Sequence, residues 1–230
     1  MIMKDGHATL ISFGDFPSVL FEEKTVTPPS IEGGGAIDTT TMRNTTYRQN
    51  DPKSLKTLGN MTSTVAYDPK ALTDAESMIQ VNQLVTVTFP DGQQVAFWGW
   101  LDSFTPGENT EGEQPTAEIT VIPSNHDTND DEVGPAHTAT SITAPANLAT
   151  VGGDGTVDVS YDGVVGATSY YIYRSESEFT GYSRIAVTNS TSFVDNTVTH
   201  GTTYYYKVAT LKDGVLSIAS DADSITATVS

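Results

Sequence analysis

A chain of 230 residues is long enough for one large or two ordinary domains, and its abundant Thr, Val and Tyr favour strands over helices. The formal net charge of −18 argues against a protein that grips DNA, because such affinity comes largely from cations placed against phosphates. The absence of cysteine excludes disulfides and thiol nucleophiles. No stretch approaches the ~20 apolar residues of a membrane span, so no membrane association is predicted.

The first residues of the chain lack the apolar stretch of a signal peptide, so we expect the mature chain to begin with the gene. Residues 7–13 and 19–26 predict two opening strands, because apolar and polar residues alternate in them. Residues 36–59 are polar and rich in Thr and Asn, without convincing periodicity, and predict a long loop. Residues 61–67 predict the next strand.

One helix is predicted, starting at Asp68 as cap with Pro69 in the first turn. Leu72, Ala75 and Ile79 would share one face of it.

A hairpin follows, with strands at residues 84–89 and 94–101 joined by a tight Asp91-Gly92 turn. Residues 106–115 predict an acidic loop, and residues 116–122 a further strand.

The second part of the chain shows regular strand alternation, as in Val157, Val159 and Tyr161. Short strands separated by turn signals at this spacing are typical of a β-sandwich. Residues 126–140 are polar and acidic, as a linker between domains would be. The predicted domains are therefore residues 1–125 and 141–230, with an acidic linker at 126–140.

Four segments of the second unit resemble a fibronectin type III domain: residues 145–148 (PANL), 167–174 (ATSYYIYR), 191–195 (TSFVD) and 201–208 (GTTYYYKV). The resemblance implies a tyrosine corner at Tyr204. It also places Tyr161 where the family usually has Trp. Tyr161, Tyr204 and Tyr206 are predicted to pack in the core.

Residues 89–103 (FPDGQQVAFWGWLDS) and the closing strand at 117–121 resemble the major tail tube proteins of lambda-like, long-tailed bacteriophages. Some members of that family append an immunoglobulin-like domain. The resemblance implies a structural virion protein of mainly β fold, with a tail-tube-type sandwich or barrel and one short helix. Copies would form stacked, hexameric rings that make a hollow tube, with the C-terminal domain projecting outward.

That interpretation also implies partners and a location. Genomic DNA would pass through the tube without specific binding, and tape measure, tail terminator and tail-tip proteins would be neighbours. The chain would lie in the phage tail of the virion, and in the host cytoplasm during assembly.

Two sets of side chains are candidates for contacts between subunits. The cations of the long loop would meet acidic loops of a neighbouring copy; the candidates are Arg43, Arg48, Lys53, Lys56, Glu108, Glu111 and Glu113. Trp98 and Trp100 lie two apart on one strand face, where core or interface packing is favoured over a sugar-stacking platform.

No catalytic, cofactor-binding or metal-binding residues are predicted, so the chain is interpreted as a non-enzyme that needs no cofactor. The calcium-loop-like run at 127–131 has Glu132 and Thr138 where Gly and Glu are required. The alternative function is a bacterial surface or secreted binding module, whose type III domain supports adhesion or carbohydrate binding. That alternative predicts a stable monomer, a signal peptide in the full gene and measurable glycan binding.

Overall fold

The computed structural model describes residues 9–67 and 69–228, and within these ranges the chain forms nineteen strands and one α-helix. The prediction of a mainly β protein is confirmed. Residues 7 and 8 of the predicted first strand and the predicted helix cap Asp68 lie outside the described residues.

The first half of the chain contains the helix and eleven strands. In chain order they are β1 (Leu10–Phe13), β2 (Glu23–Thr27), β3 (Ile31–Gly33), β4 (Ala36–Asp38), β5 (Asn50–Pro52), β6 (Lys56–Leu58), β7 (Met61–Ala66), α1 (Pro69–Met78), β8 (Gln83–Thr88), β9 (Gln94–Pro106), β10 (Thr116–Pro123) and β11 (Ala136–Thr138).

Seven of these strands form one antiparallel sheet in the order β1-β8-β9-β10-β7-β2, with β11 paired to β9. One face of the sheet is apolar, because alternate residues point the same way in a strand. In β10, for example, Ala117, Ile119 and Val121 are buried, while Glu118 between them is exposed. The buried side chains form a core against which α1 packs through Ala75 and Met78.

The predicted hairpin is confirmed: β8 pairs with β9 from Gln83↔Gly99 to Thr88↔Gln94. Gly92 adopts φ +86° in the connecting turn, a conformation that residues with a Cβ rarely adopt. Strand β9 continues to Pro106, beyond the predicted end at residue 101, because β10 pairs with this extension across a bulge.

The two end strands of the sheet are joined by a side chain. A carboxylate oxygen (Oε1) of Glu23 in β2 accepts a 2.7 Å hydrogen bond from the backbone N–H of Ile11 in β1. The sheet therefore curls around its core until its two edges come within one side chain of each other. Val19 and Phe21 are buried in this core although residues 19–22 form no strand, which corrects the prediction of a strand over 19–26.

The predicted helix is present, but its buried face differs from the predicted one. Ala75 and Met78 are fully buried, whereas Leu72 and Ile79 are 41% and 37% exposed. The helix is rotated relative to the prediction because it packs on a curved sheet, and the side chains that meet this sheet are Ala75 and Met78.

The predicted long loop is a β-ribbon, which we call the arm (residues 31–58). Strand β3 pairs with β6, and β4 pairs with β5. The prediction of an irregular loop over 36–59 is wrong, because the hydrogen bonds that order this segment join residues far apart in the sequence. None of these four strands has a fully buried residue, so no alternation marks them.

The second half folds as two facing antiparallel sheets. Its strands are β12 (Ala149–Gly152), β13 (Val157–Ser160), β14 (Ser169–Ser175), β15 (Ser183–Thr188), β16 (Ser192–Asp195), β17 (Thr203–Lys212), β18 (Val215–Leu216) and β19 (Asp223–Thr226). One sheet has the order β12-β13-β16, and the other has the order β15-β14-β17-β18 with β19 also paired to β17. Their facing side chains form a second core.

The two halves share a third group of buried side chains, which we call the junction. Leu84 and Ala96 of the first sheet pack there with Tyr171, Tyr173 and other residues of the sandwich. The predicted linker at 126–140 contains β11, which is hydrogen-bonded to β9. The domain boundaries at 125 and 141 stay predictions.

Candidate interaction surfaces

The arm is the most exposed apolar segment of the described chain. Its large apolar side chains contact little of the body and point to solvent; they are Ile31, Ile37, Met42, Tyr47 and Leu55. Met42 and Tyr47 lie in the tip between β4 and β5 and are almost completely exposed. An exposed group of large apolar side chains in a soluble protein usually marks an interaction site.

The arm also carries four cations on an acidic protein. Arg43, Arg48, Lys53 and Lys56 are all exposed. Arg48 lies 3.8 Å from the carboxylate of Asp38 across the arm. The arm therefore combines exposed apolar side chains with four cations and the three acids Glu32, Asp38 and Asp51. Its net charge is +1, whereas that of the chain as a whole is −18.

The predicted acidic partners lie in the turn between β9 and β10. Glu108, Glu111 and Glu113 are exposed there. Among the described residues, no ion pair joins these carboxylates to the arm cations within one copy. The structure thus presents the two sets as separate surfaces, and their predicted contact between subunits stays a prediction.

The aromatic candidates lie in or near the cores. Trp98 and Trp100 are half-buried, and Trp98 packs against the junction. Tyr161, Tyr204 and Tyr206 are buried in the sandwich core. The hydroxyl oxygen of Tyr204 accepts a 3.1 Å hydrogen bond from the backbone N–H of Thr199, as a tyrosine corner requires.

A buried carboxylate organises one end of the sandwich. Asp195 is 2% exposed and accepts hydrogen bonds from Arg174 Nη1 (2.7 Å), the Tyr206 hydroxyl (2.9 Å) and the Thr197 hydroxyl (2.7 Å). Burial opposes its ionisation, but these hydrogen bonds outweigh that effect and hold the pKa of Asp195 below its ordinary value. The group stabilises the fold, since every one of its polar atoms is already engaged by the protein.

Sequence patterns missed the polar contacts that fix the junction. Asp15 lies 3.1 Å from the guanidinium of Arg184, which also stands 4.8 Å from the ring centroid of Tyr171. Burial raises the pKa of Asp15, and the positive charge of Arg184 partly offsets this. The signal for this contact is absent from the sequence, because the two residues are far apart along the chain.

Nothing in the described part of the chain resembles a metal centre: no group of three or more His, Asp or Glu side chains is placed to hold an ion. The calcium-loop-like run closes on itself instead, since Asp127 accepts hydrogen bonds from the backbone N–H groups of Asn129 (2.7 Å) and Asp131 (3.1 Å). The described part of the chain also holds no helix of the length and apolar character that membrane crossing requires.

No family model matches the chain. A stretch of 75 residues, 32% of the chain, is 37% identical to an amylopullulanase of Thermoanaerobacterium saccharolyticum. A stretch of the same length is 39% identical to the amylopullulanase of Thermoanaerobacterium thermosulfurigenes. These stretches cover only 6% and 4% of the two relatives, so the chain spans a small part of their length.

Two solved structures illustrate the structural likeness. An Fn3-like protein from Clostridium thermocellum is 32% identical, with a TM-score of 0.34, over 36% of this chain and 92% of that one. Domains A168–A170 of titin are 9% identical, with a TM-score of 0.36, over 96% of this chain and 100% of theirs. TM-scores this low do not support any inference about function.

The predicted function as a phage tail tube protein is wrong. The sequence relatives are amylopullulanases, so the comparison does not lead to a virion component. What holds is the fold of the second half. Its two facing sheets, tyrosine core and Tyr204 corner are those of a fibronectin type III or immunoglobulin-like β-sandwich.

Proposed function

We propose that the chain is a non-catalytic binding module of a bacterial surface or secreted protein that presents a type III sandwich. In contrast to the stable monomer expected for such a module, its copies would associate through the arm. The observation that carries this proposal is the exposed arm, with five large apolar side chains and four cations on an otherwise acidic chain. Identical copies held together would raise the effective concentration of whatever the sandwich binds.

The partner of the arm is a second copy of this chain, and charge complementarity supports this choice. Glu108, Glu111 and Glu113 form an exposed acidic turn that the arm of the same copy does not pair with. Exposed ion pairs contribute only ~0–1 kcal/mol each. The charges would therefore set how the two copies align and add little to their affinity. Affinity would come from the apolar side chains, because fully burying one contributes about 1.5–3 kcal/mol.

The non-catalytic assignment is supported by the comparisons. The matched stretches span 75 residues, the length of one small domain, and cover only 6% and 4% of the amylopullulanases. The names of these relatives also favour a second candidate function, which is glycan binding by the same module.

A charge-exchange experiment tests the association. One variant reverses the arm (R43E/K53E/K56E), and the other reverses the acidic turn (E108K/E111K/E113K). We expect sedimentation velocity to show concentration-dependent association of the unmodified chain, monomers of either variant alone, and association of the two variants when mixed, because mixing restores opposite charges across the contact.

The matched control reverses three exposed acids elsewhere (E22K/E132K/E176K) and should associate like the unmodified chain. A monomer at every concentration of the unmodified chain refutes self-association. Unchanged association of both charge variants would show that the arm is not the contact.

A further inference from the structure

A cleft lies where the two halves of the chain meet. It has a volume of about 780 Å³ and is open to solvent. One wall is the segment from His137 to Ala146, which begins in β11. The other is formed by residues 162–165 and the turn at Lys212 and Asp213. Ligand sites of 300–1,000 Å³ commonly lie at such junctions between domains.

The first wall is fixed to the first sheet. Strand β11 pairs with the start of β9, and the Ser141 hydroxyl donates to the carbonyl of Gly92 at 3.2 Å. The backbone N–H of Ile142 donates to Oε1 of Gln94 at 2.9 Å, and Gln94 is buried. These contacts hold the segment in place although it has little regular structure.

The second wall is fixed to the sandwich. The hydroxyl oxygen of Tyr170, which is itself buried, accepts a 2.9 Å hydrogen bond from the backbone N–H of Val164. The side-chain amide of Asn147 donates to Asp162 at 2.7 Å, and the Lys212 ammonium donates to the carbonyl of Val165 at 3.1 Å.

The elements that carry the two walls also touch each other beside the cleft. A Cβ added to Gly214 would lie 3.0 Å from the Cβ of Ala136, so the β17–β18 turn packs directly on β11. The cleft is therefore formed before any ligand enters, which lowers the cost of ordering it on binding.

The lining matches the chemistry of a sugar. Hydroxyl groups line the first wall, from Thr138, Thr140, Ser141 and Thr143. A hydroxyl group both donates and accepts hydrogen bonds, as do the hydroxyls of a pyranose ring. Across the cleft, Asp162 and Asp213 add two carboxylates and Lys212 adds one ammonium group, so the lining holds both signs of charge and does not favour an anionic ligand.

The lining of the cleft also includes an apolar patch. Val165 is 90% exposed at the cleft, next to the half-buried Val164. The C–H face of a pyranose ring needs such a surface, and hydrogen bonds from the first wall would meet its edge.

We propose that this cleft binds a short, neutral oligosaccharide. The inference rests on the second candidate function, glycan binding, and uses no observation from the arm. Lys212 and Thr143 are the side chains through which the two walls would contact the same ligand.

Titration of the full chain with maltohexaose, cellohexaose and chitohexaose, followed by amide chemical shifts, tests the proposal. We expect one of them to bind with a Kd of about 1 mM or tighter and to shift the amides of Thr143, Val165 and Lys212. The variant T143V/K212M keeps the shapes of both side chains and should bind at least tenfold more weakly. The control K56M removes an exposed lysine on the arm and should leave the affinity unchanged.

Two results would overturn the proposal in distinguishable ways. Failure of all three oligosaccharides to bind would also remove glycan binding as a candidate function. Binding that T143V/K212M leaves unchanged, in a variant with an unaltered circular dichroism spectrum, would place the glycan elsewhere on the protein. Sedimentation of the arm variants is independent of both results.

Discussion

The hydroxyl group of Tyr173 donates a 2.6 Å hydrogen bond to the backbone carbonyl of Gly14, which lies 159 positions earlier in the chain. Both groups are buried where the sandwich meets the first sheet. The turn at Gly14 is held from the other side as well, because its N–H donates to the carbonyl of Leu84 at 2.8 Å. The two halves are thus joined by directional contacts as well as by apolar packing.

Replacing Tyr173 with Phe tests this bond. The ring would still fill the junction, but the buried carbonyl of Gly14 would lose its hydrogen-bond donor. Leaving a buried acceptor unpaired costs about 1–3 kcal/mol of unfolding free energy. We expect urea unfolding of Y173F to show that loss. Y205F is the control, since the half-buried Tyr205 packs at the junction and its hydroxyl group makes no hydrogen bond to the described residues. Equal stability of Y173F and Y205F would contradict the prediction.

The lowered pKa of Asp195 predicts how the free energy of unfolding depends on pH. Its pKa is lower in the folded protein than its ordinary value of 3.8, so its stabilising effect is complete above that value and is lost as the pH falls through the lowered pKa. The variant D195N should be about 2–3 kcal/mol less stable at pH 7, because it loses hydrogen bonds to a charged acceptor.

Chemical unfolding from pH 7 to pH 2 measures the effect. The difference in unfolding free energy between D195N and the unmodified chain should shrink as the pH falls below 3.8. The control D158N changes an exposed carboxyl on β13 and should follow the unmodified chain. A difference that stays constant over the whole range would show that Asp195 acts through packing alone.

The pKa of Glu23 is shifted in the opposite direction from that of Asp195. Burial raises its pKa above the ordinary value of 4.5, and the hydrogen bond from Ile11 partly offsets this, so the charged form costs stability at neutral pH. That cost is present above the raised pKa and disappears as the pH falls through it towards 4.5. The variant E23Q keeps an acceptor for Ile11 without the charge and should be at least as stable as the unmodified chain at pH 7.

The companion variant E23A removes the acceptor. It leaves the N–H of Ile11 unpaired between the two end strands and should lose about 1–2 kcal/mol. Thermal unfolding at pH 7 separates the two variants, and an E23Q protein as unstable as E23A would show that the negative charge of Glu23 stabilises the contact, which contradicts the prediction.

Gly99 allows a close approach between two strands. A Cβ at this position would lie 2.5 Å from the backbone carbonyl oxygen of Ile122 on β10, and neither strand can yield without breaking its ladder. We expect G99A to cost about 1–3 kcal/mol, as overpacking usually does. The control G134A has no atom within 4 Å of the added Cβ and should unfold like the unmodified chain.

Local signals in the sequence determined most of the strands. The alternation in residues 84–89 and 94–101 and the Asp91-Gly92 turn predicted the β8–β9 hairpin, because register in a hairpin depends on neighbours in the chain. Alternate apolar positions in the second half, such as Val157, Val159 and Tyr161, predicted a sandwich core, because alternate residues of a strand face the same side. The start of α1 followed from Pro69.

Tertiary structure alone decided the features that depend on distant residues. The arm has no buried face, so its sequence shows no strand periodicity. Only the pairings of β3 with β6 and of β4 with β5 show that residues 36–59 are ordered. Leu72 has the character of a core residue but is exposed, because the sheet selects Met78 instead. The Tyr173–Gly14 bond and the cleft between the two halves exist only once both halves are packed together, and no pattern within either half could reveal them.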